Sequence, residues 1–279
     1  MRCLKTCTEL RGRRLSLSGM TTIDNRKWLT LILVVAFGLS LASVEWDSGT
    51  LHTGGIPALG EILGAAFTPE ISRGILKQGV IEAWATVAYA VAGLTVALAI
   101  GVPVGVIASG VLARRRYVTL INMTWARFVL AFFRSVHELV WAWLFIVAVG
   151  LSPMAAVLAI GIPYAGILGR VFAELIQDIP EGPLDSLRSS GAAEWEVFLY
   201  GRLPMALPDI LSYTFYRLEC GVRAAAVMSF VGLGGIGHQV QLSLQDLDYS
   251  RAWTFLFFLI VLVALIDIWS SMVRRRLAA

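Results

Sequence analysis

Gly182–Pro204, GPLDSLRSSGAAEWEVFLYGRLP, is a charged, helix-prone island between two apolar runs, Pro153–Leu175 and Met205–Val231. The contrast matters because the chain is 57% hydrophobic and only 15% charged, with a mean hydropathy of +0.75. Soluble domains average about 45–50% apolar and about 25% charged residues. The excess here lies in blocks long enough to cross a bilayer, which takes about 20 apolar residues in a helix. An all-α integral membrane protein without a separate soluble domain follows. In so apolar a chain, a polar segment between spans implies that something docks on it.

Working outward, six transmembrane helices account for the apolar blocks: Trp28–Val44, Ile81–Leu112, one crossing within Tyr117–Val149, Pro153–Leu175, Leu207–Val231 and Ala252–Val273. Gly101, Pro103 and Gly105 predict a kink near the end of the second. The division is a tail over 1–27, a first span over 28–44, an external loop over 45–79 and a core over 80–276 that contains the loop 182–204. Within the external loop, Ile56–Phe67 is apolar at helical spacing and reads either as an interfacial helix or as an ordered loop packed on the bundle.

Orientation follows from lysine and arginine. Arg2, Lys5, Arg11, Arg13, Arg14, Arg26 and Lys27 precede the first span, Arg114–Arg116 follow the second, Arg188 and Arg202 lie in the island, and Arg274–Arg276 close the chain. The opposite side holds only Arg73, Lys77 and Arg251. Both termini and the island are therefore expected in the cytoplasm. Two crossings within Tyr117–Val149 would invert that pattern, so this stretch is read as one long crossing, straight or bent.

Several functions are excluded. The net charge of +4 sits in clusters beside apolar blocks, so it is an orientation signal and not a nucleic-acid footprint. Cys3, Cys7 and Cys220 have no partner pair or nearby histidine and read as free thiols. Residues 1–19 lack the apolar core of a signal peptide, and Met20 is an alternative start. No phosphate-binding GxxxxGK[ST] loop occurs, so ATP is not held here by that route. No paired nucleophile and base and no metal-spaced cluster is present: no catalytic residue and no metal site is expected.

The spans carry charges. Arg127, Arg134, Arg170, Arg217 and Arg223 lie in or beside them, with Glu138, Glu174, Glu219, Asp267 and His137. A charge at a span centre costs about 2.5–3.5 kcal/mol on insertion scales and usually faces the bundle interior or a wet cavity. Either some arginines line an anion path, or each is half of an ion pair: Arg134 with Glu138 and Arg170 with Glu174 at i,i+4, and Arg217 with Glu219 or its neighbours. Phe230–His238, FVGLGGIGH, contains Gly232, Gly234, Gly235 and Gly237. It reads either as a tight turn with close backbone packing or as N–H groups offered to an oxyanion at a pore mouth.

Within the island, apolar residues at mixed helical spacing and a central Gly191 predict two short helices joined by a turn, projecting Trp195, Phe198 and Tyr200. This segment resembles the EAA motif of ABC-importer permeases. Asp185, Ser186 and Leu187 take the Glu-Ala-Ala places, Gly191 the glycine place, and Leu203-Pro204 the Leu-Pro end. Leu187 and Gly201 depart from the usual pattern. Arg134–Trp141, Ser212-Tyr213, Tyr216–Glu219, Arg223, Phe230–Gly237 and Asp267…Ser270…Arg274 narrow the resemblance to permeases for phosphonates and related phosphorus oxyanions. His137 stands where many relatives have proline, which predicts an unbroken helix there.

The resemblance implies a type I importer (MetI-like) architecture in the bacterial cytoplasmic (inner) membrane. It implies a second copy of the chain, two ATPase subunits and an extracytoplasmic solute-binding protein as partners. ATP and Mg would bind in the ATPase, and no cofactor in this chain. The coupling contact would be made by Asp185, Ser186, Leu187, Gly191, Ala192, Trp195, Phe198, Leu203 and Pro204. Pore or gate candidates are Arg134, His137, Glu138, Arg217, Glu219, Arg223 and the glycines 232, 234, 235 and 237. The rivals are a permease of the same architecture for another solute, such as methionine, and an ion-coupled carrier. The absence of an internal repeat and the EAA-like loop argue against the second.

Overall fold

Small residues four apart recur on two helices, Gly93, Ala97, Gly101, Gly105 on one and Gly161, Ala165, Gly169, Ala173 on the other, and this pair is the centre of the fold. The computed structural model describes residues 21–43, 55–112 and 116–277. Expectations for Cys3, Cys7, Met20, Val44, Arg114 and Arg115 lie outside the described residues. Among those described, every regular element is helical. The chain divides into two units, Met1–Gly60 and Glu61–Ala279.

In the first unit, α1 (Thr21–Ala42) covers the expected first span; its apolar part, Lys27–Ala42, is short for a crossing. Helix α2 (Gly55–Ala65) forms where the apolar periodicity predicts one and crosses the boundary of the two units; within the second unit the Ile62 carbonyl accepts a 2.6 Å bond from Trp253 Nε1.

The second unit is built on α3 (Arg73–Ser109) and α6 (Pro153–Gln177). They run parallel: Gly93 faces Ile160, Gly101 faces Ala165, and a Cβ on Gly105 would stand 2.7 Å from the Gly169 carbonyl. Lipid supplies no hydrophobic drive between helices, so such close backbone packing is what joins them. Ser72 caps α3, which places Arg73 and Lys77 on its first turns and not in a loop. The expected kink is not a break: α3 continues through Pro103, and its glycines serve the α6 seam. Two-thirds of the apolar window of α6 is buried against 6% of that of α10 (Tyr249–Leu277), so α6 is the core and α10 the rim.

Helix α4 (Arg116–Ser135) lies antiparallel to α6, with Leu130 against Gly169 and the Arg134 backbone against Gly166. The helix is broken where His137 predicts continuity. It turns through 87° into α5 (Glu138–Val149). His137 adopts an extended conformation and its Nδ1 accepts from Leu139 N at 3.2 Å, so imidazole caps α5 without proline. Trp141 folds α5 back by edge contacts to Phe132 and Phe133.

Helix α7 (Glu181–Ser189) follows α6 at one end of the bundle. The second island helix is not separate: α8 (Glu194–Leu233) continues from it into the next span, with a π-helical stretch at Val197–Arg202 and a kink at Gly232. A 47° bend leads to α9 (Ile236–Gln245) at the other end, and α10 returns antiparallel to α8, with Ser270 Oγ on the Phe215 carbonyl. Helices α3, α6 and α10 are each long and apolar enough to cross a membrane. The bent pairs α4/α5 and α8/α9 qualify only when each is taken together.

Candidate functional site

The island folds into a self-bracketed hairpin. Leu184 is fully buried, while Asp185 and Ser186 point outward on the exposed face of α7. Gly191 turns the chain at φ +90°, a conformation open to glycine, and Ala192 N donates back to Leu187 O at 3.2 Å. The Arg188 guanidinium bridges this turn, binding Glu181 and Asp185 at 2.9 Å on one side and Glu194 at 3.1 Å on the other. Below it Arg202 is buried, bonded to Glu181 at 2.6 Å and to the Ile176 carbonyl at 3.1 Å. These two cations hold the Glu181 carboxyl below the usual carboxylate range, Arg188 more than Arg202, and the three carboxylates hold Arg188 charged.

Above the hairpin, Trp195 and Tyr200 are exposed at 57% and 70%, with Leu199 beside them and Phe198 half-buried. Such a patch marks a contact surface. The π stretch widens the helix around Gly201 and absorbs Pro204, which has no N–H for the turn before it.

Within the spans the expected pairs are redistributed. Arg170 does pair with Glu174, at 2.8 Å. Arg134 and Glu138 do not pair, because the α4–α5 break separates them. Arg217 does not pair with Glu219. It lies among Tyr164, Tyr213 and Tyr216, 5.4–6.0 Å from each ring centroid, and its Nε donates to Tyr213 Oη at 3.2 Å. Glu219 is buried and pairs instead with Arg223 and, at 3.4 Å, with Arg274 of α10. Arg223 also shares a surface cleft with Asp267.

At the opposite end, Gly232, Gly234 and Gly235 all have φ between +80° and +94°, and a Cβ on Gly237 would sit 2.2 Å from the Ala226 carbonyl. Two donors at the start of α9 are already taken: Gly235 N binds Glu82 Oε2 at 2.9 Å and Ile236 N binds Thr86 Oγ1 at 3.1 Å. Gln239 takes the other Glu82 oxygen at 3.0 Å. Of the two readings of this loop, close backbone packing describes the geometry. The oxyanion at the Gly235 donor is the protein's own Glu82 carboxylate, and the Ile236 donor meets a hydroxyl. Sequence reasoning missed Glu82; the available signal was a lone acid inside an apolar helix. Glu82→Ala is expected to lower stability by about 1–3 kcal/mol, the cost of a buried donor left unpaired, and Glu82→Gln by less. Thermal unfolding of the purified protein checks the order.

A helical bundle, a polar hairpin between two spans and a glycine corner joining α8 to α9 call for comparison. The family model described as "Binding-protein-dependent transport system inner membrane component" matches residues 101–279. The chain belongs to this family. It is the membrane-embedded permease component of an ABC importer of the bacterial inner membrane. A phosphite transport system permease protein, PtxC of Stutzerimonas stutzeri, is 30% identical over 87% of each chain. A phosphate-import permease protein, PhnE of Mycolicibacterium smegmatis, is 30% identical over 69% of this chain and 35% of its own. The inward-facing structure of the methionine ABC transporter MetNI superposes with a TM-score of 0.64 over 74% of this permease and 99% of that chain, at 24% identity. That likeness shows the fold alone: a MetI-like helical permease.

The two departures from the EAA pattern explain each other. A Cβ on Gly201 would stand 2.8 Å from both Leu184 Cδ2 and Leu187 Cδ1. The permease carries leucine where alanine is usual and vacates the facing position with glycine. Gly201→Leu is expected to cost about 1–3 kcal/mol of overpacking, and adding Leu187→Ala to recover part of it, the contact with buried Leu184 remaining. A double-mutant cycle on unfolding midpoints tests the pairing; strict additivity would refute it.

Proposed function

We propose that this permease carries phosphonates or related phosphorus oxyanions, phosphite and phosphate among them, from an extracytoplasmic binding protein to the cytoplasm. The names of its relatives support that cargo. We infer six spans, with α1, the three long helices and the two bent pairs each contributing one, in a type I architecture with both termini and α7 cytoplasmic. Two copies pair around the solute path, and two ATPase subunits bind below. ATP and Mg sit in those subunits, whose closure pushes α7 and, through the continuous α8, the spans. The chain itself does no chemistry. Arg134, Arg217, Glu219 and Arg223 act on the path or its gate, with His137 and Glu138 at the bend and the glycine corner at its outer end.

The observation that carries the coupling reading is the Arg188 bridge. A loop cross-linked to Glu181, Asp185 and Glu194 moves as a unit and transmits force into α8. Gly191→Val tests it. A Cβ there meets no atom, so only the φ of +90° is strained. Uptake and ATPase co-purification are both expected to fall sharply while the permease still inserts; survival of both sinks the coupling reading. For the cargo, the binding protein encoded alongside is titrated with phosphonates, phosphite and phosphate. Tight binding of none removes the phosphorus assignment.

A further inference from the structure

One cavity of ≈ 260 Å³ lies in the α7-side half of the bundle, between α4, α6 and the end of α3. Arg127, Arg134 and Arg170 line it, with Glu174, Gln177 and Ala131. Three guanidiniums against one carboxylate leave a surplus of two positive charges. Among the described residues only Arg170 of the three is neutralised, by Glu174 at 2.8 Å. Arg127 is steadied by neutral acceptors, the Ala108 carbonyl and Gln177 Oε1, both at 3.3 Å. Arg134 is exposed and has no ion-pair partner among the described residues.

The three arginines are staggered in depth. Arg127 is level with Ser109 and Gln177 at the ends of α3 and α6, while Arg134 sits beside Gly166, midway along α6. Near the helix ends, an arginine reaches headgroups at little cost. Arg134 lies deeper, in the last turn of α4, where an unpaired guanidinium facing lipid costs about 2.5–3.5 kcal/mol. An anion in the cavity offsets that cost. The volume is below the ~300–1,000 Å³ of sites for drug-sized ligands, so a small anion suits it.

We infer that the Arg127–Arg134–Arg170 cavity binds a tetrahedral phosphate-type oxyanion, held by guanidinium forks that match its paired oxygens. Two sources share this chemistry: the transported solute and a lipid headgroup. The solute arm rests on the cargo proposed above. The charge selectivity of the cavity does not, so a wrong cargo leaves it standing.

The test uses the full importer with its ATPase in phosphatidylcholine nanodiscs, with Ala131→Cys as reporter and labelling counted above the parent chain. Negatively and positively charged methanethiosulfonates of equal size are compared, each normalised to its rate on free thiol. The anionic reagent is expected to react about tenfold faster, the enrichment of a cleft of one sign. Arg127→Gln with Arg134→Gln abolishes the preference. Arg134→Gln alone, which removes no ion pair, reduces it at least about threefold, half the surplus charge having gone. Protection by millimolar methylphosphonate identifies the solute as occupant, and protection by added phosphatidylglycerol alone identifies the headgroup; both support the site. Equal rates for the two reagents, or a preference that survives the arginine replacements, overturn it.

Discussion

Gly237→Val is expected to prevent the α8–α9 corner from forming. A Cβ at this position would lie 2.2 Å from the Ala226 carbonyl oxygen and 2.9 Å from Ser229 Cβ. The obstacle is backbone in the last turns of α8, not a flexible side-chain tip, so no rotamer relieves it. The corner is also over-determined. Glu82 and Thr86 fix the first donors of α9, and a Cβ on Gly235 would stand 2.6 Å from Ser229 Oγ and 2.8 Å from Thr86 Oγ1. Overpacking ordinarily costs about 1–3 kcal/mol, and a clash against fixed backbone belongs at or above the top of that range. The readout is the yield of monodisperse protein and its unfolding midpoint in detergent. Gly234→Ala separates the two causes: its Cβ meets only the movable Tyr89 hydroxyl at 3.3 Å, so its loss, about 1–3 kcal/mol, comes from the φ of +80° and not from a clash. A Gly237→Val protein of parental yield and midpoint would refute the close approach.

The second large effect is an asymmetry between two partners of one ion pair. Glu181→Ala is expected to harm the permease more than Arg202→Met. Arg202 is buried with its Nε already unpartnered, so deleting Glu181 strands a guanidinium with only the Ile176 carbonyl. Breaking a buried pair costs about 3–5 kcal/mol, and the half-exposed Glu181 places this one at the low end. Methionine at 202 removes the charge with the pair, and Glu181 keeps Arg188. Unfolding midpoints and ATPase co-purification should rank the variants in that order; equal losses would refute the argument. The pH dependence has a defined sign. Arg188 and Arg202 lower the folded pKa of Glu181, so its contribution is complete above the ordinary carboxylate range and is lost only as pH falls through the lowered value. Protection of α7 amides from exchange is therefore expected to stay flat down to that range and decline below it.

The positions of the helices were legible because bilayer spans impose long apolar runs: α6 and α10 lie within a few residues of where those runs predict them, and α8 contains the expected span but begins earlier, in the polar island. The hairpin was legible because charge is costly in such a chain unless it is used. The ion pairs were not. Spacing of four on one helix suggested Arg134–Glu138, which the bend at His137 separates, while Arg217 found a set of tyrosines on two helices. Glu82 meets the glycine corner across 153 residues, a distance over which no local pattern extends.

Composition and apolar periodicity thus determined that the chain is a helical membrane protein and where its polar island lies, since these follow from the solvent each segment must face; the permease reading came from the motif the island resembles. Which charges are paired, why Leu187 requires Gly201, and which arginines share a cavity were decided only by tertiary structure. Those relations depend on which helix faces meet, and meeting is a property of packed backbones, not of neighbours in sequence.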